Sequence, residues 1–280
     1  MIAAALVALN TIMVSPAWLA GQQAAKAPLV VLHVGDRSDY DRGHIPGAQL
    51  VTTRELSDPD ATLNLQMASV DRLRAAFEAH GVSDDTTVVV YFGTDWVTPT
   101  ARVFVALDYL GLGDRAFILD GGLPAWRGAG HAVTSDVPSI APGHLTPHPR
   151  ADVIVTADWV KAHLRDPKVS VVDARTPDYY SGEHAGRYPR PGHIAGAVSV
   201  PFNTVVDMTN RLLGPPDLAA VFQKAGVKPG SDVVTYCHIG QQASEVYVAA
   251  RALGYRVHLY DGSFEEWSAR TDLPVETSRR

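Results

Sequence analysis

A short apolar run that ends in a cysteine decides the fold of this chain: Asp-Val-Val-Thr-Tyr-Cys-His-Ile-Gly-Gln-Gln, residues 232–242. The run Asp232–Tyr236 is rich in β-branched and aromatic residues, which is typical of a buried strand. The segment Ala243–Leu253 has helical spacing, and Arg256–Leu259 is a second apolar run. A strand, a helix and a strand in this order indicate an α/β fold with a mostly parallel sheet.

Cys237 stands between the end of this strand and the start of the helix. Ligands of open α/β sheets bind at the carboxyl ends of strands, and a helix N-terminus offers free N–H groups and a partial positive charge. Gly240 allows a short loop to curl so that its amides converge. We expect an anion-stabilising cradle around Cys237, with a pKa below the free-thiol value of about 8.5. The alternative is a small buried apolar residue at a strand end.

The same organisation occurs twice along the chain. The offset is 141 residues both between Trp18 and Trp159 and between Trp126 and Trp267. Three blocks return in the same order: 14–19 as 155–160, 43–48 as 192–197, and 119–126 as 260–267. A unit of this length is too long for a solenoid repeat, so the pattern indicates two copies of one domain.

We expect an N-terminal domain at 14–132, a proline-rich and semi-rigid linker at 133–152, and a C-terminal domain at 153–280. The other predicted strands are Leu29–Val34, Thr87–Tyr91, Ala116–Leu119 and Val169–Val172. The other predicted helices are Val70–His80, Thr100–Leu110 and Asp217–Ala225.

The segment from Cys237 to Ser244 resembles the active-site loop of tandem-domain rhodaneses. Residues 192–197 resemble the Gly-His-Ile-Pro-Gly-Ala block of that family, 261–267 its C-terminal block, and 171–175 its first strand and turn. The resemblance covers nearly the whole chain from Val14 onward. It implies an α/β fold of two tandem rhodanese-like domains, each a mostly parallel sheet flanked by helices.

The resemblance implies a sulfurtransferase with Cys237 as its catalytic residue. In this mechanism the thiolate takes the outer sulfur of a small anionic donor, and a thiol or cyanide acceptor then removes that sulfur. No cofactor or metal is implied. The form of the loop favours thiosulfate as the donor. A 3-mercaptopyruvate sulfurtransferase, or a persulfide carrier or sensor without steady turnover, remains the alternative.

Seven further residues are candidates for substrate binding. The loop contains no Lys or Arg, so an anionic donor needs a cation from elsewhere. Arg190 matches by position a donor-binding arginine of the family, and Arg187 is a second candidate, because a guanidinium suits a sulfonate or carboxylate. Within the loop the candidates are His238, Ile239, Gly240, Gln241 and Gln242.

The loop side chains have different expected roles. We interpret His238 as a rim residue that attracts the donor when it is protonated. Gln241 and Gln242 either bind donor oxygens or cap the helix. His44 and His193 occupy equivalent places in both copies, which favours a structural role for each.

The N-terminal copy is predicted to be inactive. Phe92 takes the position of Cys237, the loop that follows is two residues longer, and Asp95 would repel an anion. This copy is expected to support the active domain and to wall its cleft.

Other classes of protein fit the sequence less well. A Cys-x5-Arg phosphatase would need Arg where Ala243 stands, and a thioredoxin-like pair would need a second cysteine, whereas the chain has one. Nucleic-acid binding is not expected at a formal net charge of −6 without a basic run, and no apolar stretch predicts a membrane span. Residues 1–14 are apolar but lack a basic start, so a complete export signal is not visible and either a cytoplasmic or a periplasmic location is compatible.

Overall fold

Two parallel sheets of five strands each form the frame of the protein. A computed structural model describes residues 12–94 and 97–278, so residues 1–11, on which the export-signal expectation rests, lie outside the described segments. The strands are β1 (Met13–Val14), β2 (Leu29–Val34), β3 (Gln49–Val51), β4 (Thr87–Phe92), β5 (Ala116–Leu119), β6 (Ile154–Val155), β7 (Val169–Asp173), β8 (His193–Ile194), β9 (Val198–Ser199), β10 (Asp232–Tyr236), β11 (Val257–Tyr260) and β12 (Val275–Glu276).

The two sheets share one topology. The strand orders are β1-β5-β4-β2-β3 and β6-β11-β10-β7-β9, and β8 and β12 form a separate antiparallel pair. Within the five-stranded sheets, neighbouring strands pair in parallel. The repeated order confirms the predicted duplication and the α/β class.

Helices flank both sheets. They are α1 (Pro16–Ala24), α2 (Arg37–Arg42), α3 (Val70–Ala79), α4 (Val97–Tyr109), α5 (Gly122–Gly128), α6 (Ala157–His163), α7 (Pro177–Ser181), α8 (Pro215–Ala225), α9 (Gln241–Ala252) and α10 (Ser263–Ala269). A 3-10 turn covers Phe202–Thr204. Within the described segments, no helix combines the length and apolar character that crossing a bilayer requires.

The repeated sequence blocks form the same local structures in both domains. In the first block, the hydroxyl of Ser15 accepts from the amide of Trp18 at 3.1 Å, and that of Thr156 accepts from Trp159 at 3.2 Å. Ser15 and Thr156 are therefore the N-cap residues of α1 and α6.

The histidines of the second block fix a turn in each domain. His44 Nδ1 donates to the Tyr40 carbonyl at 2.9 Å, and His193 Nδ1 donates to the Tyr180 carbonyl at 2.7 Å. The ring of His44 also stacks on the ring of Tyr40, and the ring of His193 stacks on the ring of Tyr180. This is the structural role that their repetition predicts.

The proline-rich segment 133–152 is packed against the N-terminal domain. The amide of Gly143 donates to the Glu78 carbonyl at 2.7 Å, and the amide of His148 donates to the Leu110 carbonyl at 3.1 Å. Leu145 is 2% exposed and belongs to the main core. The segment is thus anchored along its length, which is a stronger constraint than proline stiffness alone gives.

The two domains share one core through α4 and α9. One cluster of buried residues includes Phe104 and Leu107 of α4 and Val246 and Ala250 of α9. Gln241 Nε2 donates to Thr98 Oγ1 at 3.3 Å near the start of both helices. Near the other end of the helices, Tyr247 and Arg251 of α9 contact Asp108 of α4. The two helices therefore run in the same direction, and the loops that precede them lie on the same side of the interface.

A buried carboxylate anchors the far end of this interface. Asp108 of α4 is fully buried. It accepts hydrogen bonds from Tyr247 Oη at 2.6 Å and Arg150 Nη1 at 2.7 Å, and it forms an ion pair with Arg251. These three donors come from α9 and from the segment between the domains.

We expect Asp108→Ala to destabilise the protein by about 3–5 kcal/mol, because it leaves buried donors and charges without their acceptor. Urea unfolding measures this loss. Asp41→Ala is the control, since it breaks an exposed ion pair with Arg37 whose side chains are 64% and 53% exposed, and it should cost less than about 1 kcal/mol. Equal effects of the two changes would contradict this account of Asp108.

Candidate active site

Cys237 lies at the carboxyl end of a central strand. It follows β10, which pairs with β7 on one side and β11 on the other. Gly240 is the N-cap residue of α9 and has a φ of 86°, a left-handed conformation that favours glycine. The helix begins at Gln241, two residues earlier than its sequence pattern predicts.

Backbone amides surround the sulfur of Cys237. The amides of Ile239, Gly240, Gln242 and Ala243 donate hydrogen bonds to it. Such a ring of N–H groups at a helix N-terminus stabilises an anion. The loop therefore has the geometry that the sequence predicts, and the side chain of Cys237 is fully buried within it.

Burial changes the ionisation of this thiol. Removal from water raises the pKa of Cys237 above its ordinary value, and the four amides only partly oppose that effect. The sequence-based expectation of a lowered pKa is therefore wrong for this structure. The amide donors, which lower the pKa, follow from the local sequence. The burial, which raises it, depends on tertiary packing and was not part of the expectation.

The turn between β11 and α10 holds the main chain of the cysteine. The amide of Cys237 donates to Ser263 Oγ at 3.2 Å, and the amide of Phe264 donates to the Cys237 carbonyl at 3.0 Å. The amide of Glu265 donates to the His238 carbonyl at 3.1 Å. The position of the sulfur is thus fixed by a segment more than twenty residues further along the chain.

His238 is held as a neutral ring. Its Nδ1 atom lies 2.6 Å from the hydroxyl of Tyr188, and the ring of Tyr179 meets it edge-on. Burial, assisted by the nearby charge of Arg175, lowers the pKa of His238 to about 4. This corrects the expectation that a protonated His238 attracts the donor, because the ring is uncharged near neutral pH.

The side chain of Arg190 binds carbonyl groups at the C-terminal end of α10. Its guanidinium donates to four main-chain carbonyls at 2.5–2.9 Å, those of Trp267, Ser268, Arg270 and Leu273. Carbonyls at a helix end lack partners within the helix, so the arginine satisfies them. The predicted donor-binding role of Arg190 is therefore corrected to a structural one.

Arg187 is the more available of the two arginines. Its side chain is 63% exposed, and Nη2 lies 2.9 Å from Glu265 Oε1. Its charge acts on both His238 and Tyr188, which places it beside the cysteine loop. Glu265 also accepts from the amide of Asn64 at 2.7 Å, so a segment of the N-terminal domain borders this site.

The remaining loop side chains occupy different surroundings. Ile239 is half-buried. Gln241 points to the N-terminal domain, where it bonds Thr98. Gln242 has a buried Oε1 atom without a hydrogen-bond partner among the described residues. The N-cap residue of α9 is Gly240, before both glutamines, and binding of Gln241 and Gln242 to donor oxygens stays a prediction.

A model of the rhodanese-like domain matches this chain twice, over residues 15–129 and 156–270. The chain belongs to the rhodanese family. It is 33% identical over 281 residues to the sulfur carrier protein TtuD of Thermus thermophilus, covering 94% of this chain and 96% of that protein. It is 32% identical over 253 residues to a thiosulfate sulfurtransferase of Pseudomonas aeruginosa, covering 89% and 91%.

Solved structures of related proteins share this rhodanese architecture. The anaerobic ergothioneine biosynthesis enzyme from Chlorobium limicola superposes with a TM-score of 0.86 at 25% identity, over 97% of this chain and 71% of that chain. A structure of an EanB variant that carries a cysteine persulfide gives a TM-score of 0.86 at 26% identity, over 97% and 72%.

The N-terminal rhodanese domain has a different loop at the equivalent place. Tyr91 and Tyr236 are equivalent, because the hydroxyl of each accepts from a backbone amide of the second repeated block at 3.0 Å. Phe92 is therefore the counterpart of Cys237, as the sequence predicts. Gly111 follows Phe92 by nineteen residues and Gly254 follows Cys237 by seventeen, so the two-residue difference stays a sequence-based prediction about the loop.

Part of that loop, including Asp95, lies outside the described residues. The described part borders a cavity of about 270 Å³. Its lining comprises Val34, Gly35, Asp36, Asp39, Phe92, Gly93, Thr94, Pro99 and, from the other domain, Gln241.

Arg175 lies close enough to the cysteine loop for its charge to act on His238, whereas its sequence assigns it only to a turn. Its guanidinium is buried, forms a two-pronged ion pair with Asp173 and donates to the Gly192 carbonyl at 2.7 Å. It also lies 4.0 Å from the centroid of the Phe264 ring. An Asp-x-Arg pair at the end of the strand beside β10 was the available signal, since neighbouring strand ends meet at one edge of a sheet.

A buried histidine, His33, and a half-buried one, His238, should make the stability depend on pH. The pKa of His238 and that of His33 are both lowered to about 4, mainly by burial, whereas unfolded histidine titrates near about 6.5. The unfolded chain therefore binds more protons between these values, so the free energy of unfolding should fall as the pH falls from 6.5 to 4.

Denaturant unfolding at several pH values measures this slope. His33→Gln and His238→Gln should each make it shallower between pH 6.5 and 4 and leave it unchanged above pH 7. Slopes equal to that of the unmodified protein throughout would show that the rings are not held neutral.

Proposed function

We propose that this rhodanese is a sulfurtransferase that moves sulfane sulfur from thiosulfate to a nucleophilic acceptor, cyanide or a thiol, through a persulfide on Cys237. The observation that carries the proposal is the ring of four amides around the only cysteine of the chain. A persulfide must be held as an anion, and these amides provide the partners for it. The names of full-length relatives agree with this chemistry.

The transfer needs two displacements. In the first, the Cys237 thiolate attacks the outer sulfur of thiosulfate, a Cys–S–S bond forms, and sulfite leaves with the electron pair of the broken S–S bond. In the second, the acceptor attacks the outer sulfur of the persulfide and Cys237 leaves as a thiolate. Because burial raises the pKa of Cys237, the first step should accelerate as the pH rises.

We assign the chemistry to the C-terminal domain, residues 153–280, and a supporting role to the N-terminal domain, residues 14–132. Phe92 has no group that can carry sulfur, and its loop is longer. The contacts of Asn64 with Glu265 support the view that the N-terminal domain walls the active cleft.

Arg187 is the cation that best suits an anionic donor. Arg190 donates to four carbonyls and Arg175 is buried against Asp173, whereas Arg187 keeps a largely exposed side chain beside the loop although it also pairs with Glu265. A guanidinium binds sulfonate oxygens well. The same cation would also bind the carboxylate of 3-mercaptopyruvate, the substrate named for another relative at 32% identity, so the comparison of donors decides between them.

A persulfide carrier is the second candidate. It is favoured by the likeness to the sulfur carrier protein TtuD over nearly the whole chain. A carrier accepts one sulfur atom and passes it to a partner protein, and it shows no steady turnover with cyanide. Multiple turnovers with thiosulfate and cyanide would therefore exclude a pure carrier role.

We expect Cys237→Ser to abolish sulfur transfer and leave the fold intact, because the hydroxyl is nearly isosteric but does not ionise near neutral pH. Intact-mass measurement after treatment with thiosulfate should show one added sulfur on the unmodified protein only. Adding Phe92→Cys to the serine variant should not restore transfer. Turnover by either variant would refute the assignment.

We expect Arg187→Ala to raise the KM for thiosulfate by roughly three- to tenfold with little change in kcat, since the side chain binds the donor from an exposed position. Arg190→Ala is the matched control and should lower the melting temperature instead. Values of kcat/KM for thiosulfate and 3-mercaptopyruvate, with cyanide as acceptor, measure both variants. A preference of the unmodified protein for mercaptopyruvate would reverse the donor assignment.

A further inference from the structure

An arginine of the N-terminal domain reaches the cysteine loop of the C-terminal domain. Arg102 lies one turn into α4 and is 2% exposed. Its Nη2 atom donates to Asp261 Oδ1 at 2.5 Å and to the Leu65 carbonyl at 2.7 Å. The amide of Met67 donates to the other oxygen of Asp261 at 2.7 Å. The N-terminal domain thus binds both carboxylate oxygens of one C-terminal residue.

Asp261 belongs to the turn that holds Cys237. Two residues later, Ser263 Oγ accepts from the Cys237 amide at 3.2 Å and donates to the Tyr260 carbonyl at 3.0 Å. Ser263 itself has a φ of 51°, an unfavourable value for a residue with a side chain. A turn with this conformation needs outside support, and the contacts to Asp261 supply it.

The second nitrogen of the guanidinium faces Gly240. A Cβ atom on Gly240 would lie only 2.9 Å from Arg102 Nη1 and 3.1 Å from Asp261 Oδ1. Among the described residues, Nη1 is buried without a hydrogen-bond partner. The ion pair is therefore packed directly against the residue whose amide is one of the four donors to the Cys237 sulfur.

The equivalent position of the other interface helix carries an acidic residue in place of the arginine. Arg102 lies nine residues before Gly111, and Glu245 lies nine residues before Gly254. Glu245 is buried, neither carboxylate oxygen has a hydrogen-bond partner among the described residues, and burial raises its pKa to about 8. At this position the cation thus occurs only on α4, the helix of the N-terminal domain that reaches the cysteine loop through Asp261 and Gly240.

We propose that Arg102 is a positioning residue of the active site, which acts from the N-terminal domain through Asp261 and Gly240 to hold the Cys237 loop in its anion-binding form. The inference deepens the proposed function, since a positioned amide ring matters for a thiolate and a persulfide. It also gives the N-terminal domain a specific task besides walling the cleft.

The test compares two arginines of the same interface. Arg102→Gln removes the ion pair beside the loop, whereas Arg251→Gln removes the ion pair with Asp108 at the opposite end of α4 and α9. Both should lower the melting temperature. Only Arg102→Gln should shift the pH midpoint of Cys237 alkylation by iodoacetamide upward, by about one unit, because fewer amides then face the thiolate.

Steady-state kinetics with thiosulfate and cyanide provide the second measurement. Arg102→Gln should lower kcat by about tenfold and change KM by less than about threefold, as expected for lost positioning. Arg102→Lys retains the charge but not the planar guanidinium whose Nη2 bonds both Asp261 and the Leu65 carbonyl, so its kcat should fall between those of Arg102→Gln and the unmodified protein. If Arg102→Gln does not fold, the same two measurements on Arg102→Lys test the proposal.

The inference is overturned if the Arg102 variants lose stability but keep the alkylation profile and kcat of the unmodified protein, or if Arg251→Gln alters both measurements equally. The alkylation profile does not depend on sulfur transfer. A shifted profile in a protein that transfers no sulfur would therefore refute the proposed function and support the role of Arg102.

Discussion

The packing of α4 against α9 is the constraint on which the active site depends. A short loop joins the central strand β4 to α4, and another joins the central strand β10 to α9. Because the two helices pack in parallel, these two loops lie on the same side of the interface. Neither domain encloses the site alone. The buried core runs through both helices without a boundary, and the Asp108 ion pairs fix their far end.

Duplication followed by divergence explains why two domains with one strand order carry a cysteine at the end of only one central strand. The two domains retain the same strand order, the same helix caps and the same histidine turn. What differs is the residue at the end of the central strand, the length of the loop and the charge on the interface helix. These differences leave the C-terminal loop with a thiol, and the N-terminal helix with a cation that reaches it.

The electrostatics of the site reflect competition between burial and backbone dipoles. Four amides favour an anion at Cys237, while removal from water opposes it and raises the pKa. Burial also keeps His238 neutral, so no protonated side chain of the loop assists the thiolate. The fixed positive groups are therefore the backbone amides and arginines held by acidic partners, and their positions are set by packing.

Local sequence determined the secondary-structure elements and the position of Cys237, the proposed nucleophile. The β2, β5 and β10 strands have the boundaries that their apolar runs predict, and α3 and α8 differ by at most two residues at either end. The cradle around Cys237 was also predictable, because a strand, a short glycine-containing loop and a helix place amides around one point whatever packs outside them.

Tertiary structure decided which charges serve the site. Arg190 and Arg187 are three residues apart and look alike in sequence, yet one is used by carbonyls of α10 and the other stays exposed. Arg102 reaches Asp261 across 159 residues of chain, which no local pattern indicates. The raised pKa of Cys237 likewise comes from burial. Burial and long-range ion pairs depend on how elements pack, and the sequence alone does not specify which partner each side chain meets.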